Sequence, residues 1–209
     1  MEYGIEKNAI RTVAEMAALA ARTAPKGHGH DHLIIGLCEK DEIKAIGQRM
    51  IAIGEEKAAA LLEKGQQFAN KAEGIRKDWH SDGVCVAEAD EVLLVGLKGR
   101  DLTPKNCGMC GHATCAEMLK AERPEGTMWH GPFCAMVMVD LGIAISSAAS
   151  VAGRNHVDNR IFFKIGNAVN DLGLMPESEC VIALAMSSSS KNSFFDRFEK
   201  LEGAELQRK

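Results

Sequence analysis

Three cysteines fall within nine residues, Cys107, Cys110 and Cys115, separated by two and then four residues, and a fourth, Cys134, follows after eighteen more. Thiolates are soft ligands that suit zinc or iron–sulfur clusters, and four of them are what a cubane 4Fe–4S cluster requires. A structural zinc site usually draws two ligand pairs from two separated knuckles. Here three ligands share one tight loop and the fourth is remote, the common arrangement around a 4Fe–4S cluster. Gly108 and Gly111 each follow a cysteine. Without a Cβ they let the backbone curl with positive φ and bring amide N–H groups to the sulfurs, and such hydrogen bonds help set a cluster's potential. Zinc and a set of buried free thiols are the competing readings, although the run Gly108–Ala113 makes a poor core segment.

Other groups could hold an anion or a second metal. Ser187, Ser188, Ser189 and Ser190, with Lys191, supply hydroxyls and donors directly after an apolar strand-like run. In α/β sheets the carboxyl ends of strands are where ligands bind, so Ser189 and Lys191 mark the best site outside the cysteine loop. Arg22 and Lys26 are suited either to phosphate or to ordinary surface carboxylates. His28, His30 and His32 alternate, so an extended chain would project them to one side as metal ligands. A polar loop over a cofactor, or a solvated loop, is the plainer reading. No glycine-rich phosphate loop and no local signature of Ser-His-Asp or Cys-His catalysis is present.

Composition narrows the classes further. The chain has 209 residues, 46% of them apolar, and a formal net charge of -4. That balance gives no basic footprint for nucleic acid. No apolar run is read as a membrane span, and the acidic start Glu2–Lys7 carries no export signal. Seven cysteines are an odd number for a disulfide scaffold. Cys38, Cys85 and Cys180 are read as small buried hydrophobes, and the whole as a reduced, cytoplasmic protein.

Elements must then position these groups. Ile10–Ala21 reads as a helix that stops before Pro25, and His32–Cys38 as a buried strand. Asp41 is a plausible cap for a helix with Ile43, Ile46, Met50 and Ile53 on one face, continuing to Ala72 with Gly47, Gly54 and Gly65 as weak points. Glu91–Leu97 reads as a second strand, Thr114–Ala121 as a short helix, and Ala135–Ala152 as a helix apolar nearly all round. Asn159–Leu172 reads as a helix capped by Asp158, and Cys180–Met186 as a third strand. Strands alternate with helices and no long linker intervenes. The expectation is a single α/β (α+β) domain over residues 1–209, with 101–135 as a cluster-binding insertion.

Several segments carry a broader resemblance: Ala21–Gly27, Asn106–Cys115, Asp140–Ala144, Val157–Arg160 and Ser190–Arg197. Through them the chain resembles the family of ferredoxin domain-containing proteins. The cysteine loop alone is similar to the cluster-binding module of corrinoid iron–sulfur proteins and of electron-transport subunits. That likeness implies a 4Fe–4S cluster held by Cys107, Cys110, Cys115 and Cys134. The order of elements resembles the nitroreductase fold, three layers of helices and sheet whose members are homodimers with FMN at the subunit interface. By that resemblance Arg22 and Lys26, with Lys191 or Arg197, would hold the flavin phosphate, and Ser189 would lie beside them. The implied function is an iron–sulfur redox protein passing electrons between the cluster and FMN, with a small carrier such as ferredoxin as partner. A cluster-only carrier or sensor, and a zinc-stabilised interaction protein, stand as alternatives.

Overall fold

The structure is a computed structural model, and it describes residues 3–98, 100, 102, 104–123, 128–190 and 193–195. Helix α1 (Glu6–Thr23) leads through a 3-10 turn at Gly27–Gly29 to strand β1 (Leu33–Leu37). A helical hairpin follows, α2 (Lys40–Glu63) and α3 (Ala69–Ala87), and then β2 (Glu91–Lys98). The cysteine loop leads to α4 (Cys115–Lys120), and Cys134 immediately precedes α5 (Ala135–Arg154). The chain closes with β3 (Asp158–Phe162), α6 (Ile165–Asp171) and β4 (Ser178–Ser187).

The four strands form one antiparallel sheet in the order β1-β2-β4-β3. Side chains alternate across the two central strands, because successive residues of a strand face opposite ways. Val92, Leu94, Val181, Ala183 and Ala185 pack under α2, α3 and α6. Leu93, Val95, Ile182, Leu184 and Met186 pack under α1 and α5. The result is helices, sheet, helices: the three layers expected. Cys38, Cys85 and Cys180 are buried within these cores, as expected of small hydrophobes.

Several elements differ from the sequence reading. Asp158 does not cap a helix; Asp158–Phe162 is an edge strand paired with β4, and the helix starts only at Ile165. The cap of α2 is Glu39, in a reciprocal box with Glu42, rather than Asp41. The glycines read as weak points are contact points. A Cβ on Gly47 would lie 2.5 Å from the Gly83 carbonyl oxygen, and one on Gly54 2.5 Å from Cβ of Trp79, so they let α2 and α3 approach. The hairpin does break near Gly65, whose φ is +134°.

Helix α5 is buried on one side only. Val137, Asp140, Leu141, Ala144, Ile145, Ala148 and Ala152 face α1 and the sheet, while Met136, Val139 and Ile143 are exposed. By length and composition α5 would suffice to cross a membrane, contrary to the expectation that no run would. Its packed face is what the core helix of a globular domain shows.

Candidate functional site

The cysteine loop is built around Asn106, whose φ of +50° turns the chain. Its side-chain Oδ1 accepts the N–H of Cys115 at 2.9 Å, while its own N–H donates to Sγ of Cys115 at 3.3 Å. The N–H of Lys105 donates to the same sulfur at 3.4 Å. These amides hold the Cys115 thiol below its usual range, Lys105 contributing most and Asn106 next. Gly108 and Gly111 have φ of +74° and +87°, the left-handed turns expected of them. Thr114 then starts α4: its hydroxyl accepts the N–H of Glu117, and the Glu117 carboxylate accepts the N–H groups of Thr114 and Ala113. This capping box fixes where Cys115 leaves the loop.

Cys134 arrives from the other side as the residue before α5. That helix has 20 residues, so its N-terminus presents partial positive charge to the site. Cys107, Cys115 and Cys134 line one cavity of about 210 Å³, together with Gly27, His28, His32, Lys105, Met136 and Asp140. Cys110 is half-buried and is not part of that lining. Among the described residues no three Cys, His, Asp or Glu side chains converge closely enough to grip one metal ion. The donor set nevertheless fits an iron–sulfur cluster better than a single ion. Three of the four thiols line one cavity, and amides already point at one of the sulfurs.

The segment that returns from the cysteine loop to α5 is docked on the body. The ring of Trp129 sits over Gly166 of α6, where a Cβ would approach it to 2.6 Å. Asn167 donates to the Met128 carbonyl at 3.2 Å, and Arg123 pairs with Glu179 and donates to the His130 carbonyl.

The residues implied for a flavin phosphate have other partners in one chain. Arg22 pairs with Asp31 at 2.6 Å and donates to the Leu33 carbonyl at 2.9 Å. Lys26 Nζ donates to the carbonyls of Arg22 at 2.6 Å and Ala24 at 3.0 Å, at the C-terminal end of α1. Both residues therefore shape the loop that walls the cavity. Ser189 contacts Ser187 and Ser193 through its hydroxyl, and Ser188 donates to Asp90 through N–H and hydroxyl. Lys191 and Arg197 lie outside the described residues. Strand register puts the two regions at opposite ends of the sheet. Leu33 pairs with Leu97, whereas Glu91 pairs with Met186. The eight residues of β2 separate them by roughly 25 Å. The strand-end rule that pointed to the serines belongs to parallel sheets, and this sheet is antiparallel.

Sequence reasoning missed one wall of the cavity, Asp140, and read the other, the histidine segment, as a polar loop over a cofactor or a solvated loop. Asp140 is visible in the sequence only as an interruption of an apolar helix. Buried at 4% exposure, it accepts the N–H of Gly27 at 2.9 Å. His28 and His32 reach the same cavity, with His28 in a left-handed conformation at φ +56°.

Comparison with known proteins bears on the family and the fold. A protein of Archaeoglobus fulgidus is 34% identical over 199 residues, 95% of this chain and 97% of its own length. A BluB-like flavoprotein from Clostridium difficile 630 superposes with a TM-score of 0.61 at 16% identity, over 87% of this chain and 81% of that one. A nitroreductase with bound FMN from Desulfitobacterium hafniense DCB-2 aligns with a TM-score of 0.48 at 16% identity, over 86% and 79% of the two chains. At 16% identity the likeness to the BluB-like flavoprotein speaks for the fold alone, and the weaker alignment carries no argument. Residues 130–197, which begin just before Cys134, match the family described as "Uncharacterized protein containing a ferredoxin domain (DUF2148)". With a relative alike over nearly its whole length and this match in the C-terminal third, the chain belongs to this ferredoxin-domain family.

Proposed function

We propose that the protein is an iron–sulfur oxidoreductase in which Cys107, Cys110, Cys115 and Cys134 hold a 4Fe–4S cluster and a flavin exchanges electrons with it. The observation that carries the reading is the shared cavity of Cys107, Cys115 and Cys134, into which amide donors and a helix N-terminus already point. Cys110 lies on the same loop between two left-handed glycines, and we assign it as the remaining ligand. The cluster, when bound, moves one electron at a time, whereas FMN accepts one or two. The chain's own contribution is position, hydrogen bonds to sulfur, and a wall against water. An electron carrier of ferredoxin type is the partner we assign, in the cytoplasm, where thiols stay reduced.

A second copy of the chain completes the flavin reading. The exposed α5 face carries Met136, Val139 and Ile143 beside small residues Gly142, Ser146 and Ser150. Helix α5 runs from the cysteine end of the sheet to the serine end. A two-fold axis across that face would bring each chain's Ser187–Ser190 segment to the other's cavity, where the Arg22–Lys26 loop lies. A cluster-only carrier without flavin is favoured by a specific observation: Arg22 and Lys26 already have internal partners. Anaerobically purified protein titrated with FMN separates the readings. Saturable quenching of flavin fluorescence supports the first, and its absence with the cluster intact leaves the carrier.

A further inference from the structure

Asp140 is the only acidic residue in the 20 residues of α5, and it lies on the buried face beside the cysteine cavity. Its Oδ1 accepts the N–H of Gly27, 113 positions earlier in the chain. The loop this bond reaches is fixed at both ends by local contacts. Lys26 grips the end of α1, and Asp31 pairs with Arg22 while accepting the N–H of Leu33 at 3.1 Å. Between them His28 and Gly29 are both left-handed, at φ +56° and +71°, so the middle of the loop bulges over the cavity. The Gly27–Asp140 bond ties that bulge to the helix that begins at Cys134. A carboxylate this buried holds its N–H partner strongly, since the bond is charge-assisted.

We propose that Asp140 is a positioning residue that keeps the Gly27–His32 loop closed over the cluster site and so shields a bound cluster from solvent. The proposal rests on the cluster reading above and adds to it a wall and the bond that shuts it. The test uses the cluster-loaded protein, held anaerobically and challenged with a water-soluble iron(II) chelator, with the fading of cluster absorbance as readout. Asp140→Ala removes the acceptor, and loss should accelerate roughly ten- to a hundredfold, the size of one lost hydrogen bond to a charged group. Asp140→Asn keeps an acceptor oxygen in place but loses the charge assistance, so loss should accelerate only about severalfold, clearly less than in Asp140→Ala. Should Asp140→Ala fail to fold, Gly27→Pro removes the donor instead. Lys26 has the extended backbone (φ -130°, ψ 150°) that a residue before proline adopts, and Gly27 opens its turn. Gly27→Ala retains the N–H, and its Cβ meets the Asp140 carboxylate at an ordinary 3.6 Å, so it should behave as unaltered. Wild-type rates in Asp140→Ala or Gly27→Pro overturn the proposal, as does equal acceleration in Asp140→Asn, which would implicate charge rather than the bond. An unaltered protein that holds no iron after reconstitution overturns the cluster reading and this proposal with it.

Discussion

Asn106 and Cys115 clasp one another: the side chain of the first accepts from the backbone of the second, whose sulfur accepts in return. In metal-free protein this makes Cys115 the thiol primed for deprotonation, whereas burial pushes Cys38 and Cys180 up to about 12, with nearby glutamates adding at Cys38. Iodoacetamide labelling with peptide mapping, run from about pH 6 to about pH 10, should therefore modify Cys115 ahead of Cys38 and Cys180 and leave those two untouched at the acid end. Equal rates for Cys115 and Cys180 across that range would contradict the clasp. At this scale the sequence was informative where geometry follows residue type and spacing, as in the two left-handed glycines and the three cysteines that share a cavity. It was silent on Asp140 because a buried carboxylate is identified by what approaches it, and Gly27 is distant in the chain. Arg22 and Lys26 showed the same limit from the other side. Their charge suggested phosphate, yet an aspartate and the helix end took it up.

At the scale of elements, close approach explains what periodicity could not. Gly47, Gly54 and Gly83 let α2 and α3 meet without side chains between them. Gly47→Ala should cost about 1–3 kcal/mol, because the new methyl meets backbone that cannot yield. Urea unfolding reads that loss, and a midpoint equal to wild type would show that the hairpin shifts freely. A second prediction concerns the corner where α1, β2 and β4 meet. Burial of Asp90 pushes its carboxyl up, but the Lys7 ammonium and the Ser188 N–H and hydroxyl outweigh it, and the net direction is down. A carboxyl held below its unfolded value of about 3.9 stabilises the fold above that pH, and the contribution fades as pH falls through the folded value. Lys7→Ala should accordingly lower thermal stability at neutral pH and by much less at about pH 2, well below the unfolded carboxyl value. An equal loss at both would refute the pairing. Helices α1, α2 and α5 were legible because long apolar faces repeat. Strand β3 was not: Asp158–Ile161 is half-exposed and polar, and its partner β4 lies far along the chain.

For the whole molecule, the apolar stripe on α5 is the surface that should find a second copy. Val139 and Ile143 are 44% and 38% exposed beside a row of small residues that admits close helix contact. Sedimentation equilibrium should return a dimer at micromolar concentration, and Ile143→Glu should return a monomer with an unchanged fold by circular dichroism. A monomeric unaltered protein would leave α5 facing solvent and remove the intersubunit cleft. The three layers were legible from alternating elements, but the sheet's antiparallel order was not, since strand direction depends on connections that local patterns do not encode. The central claim remains chemical, and iron and acid-labile sulfide in anaerobically purified or reconstituted protein test it most directly. The account predicts about four irons and four sulfides per chain, with Cys110→Ser retaining little of either. Stoichiometric zinc without sulfide, or full iron content in Cys110→Ser, would contradict it.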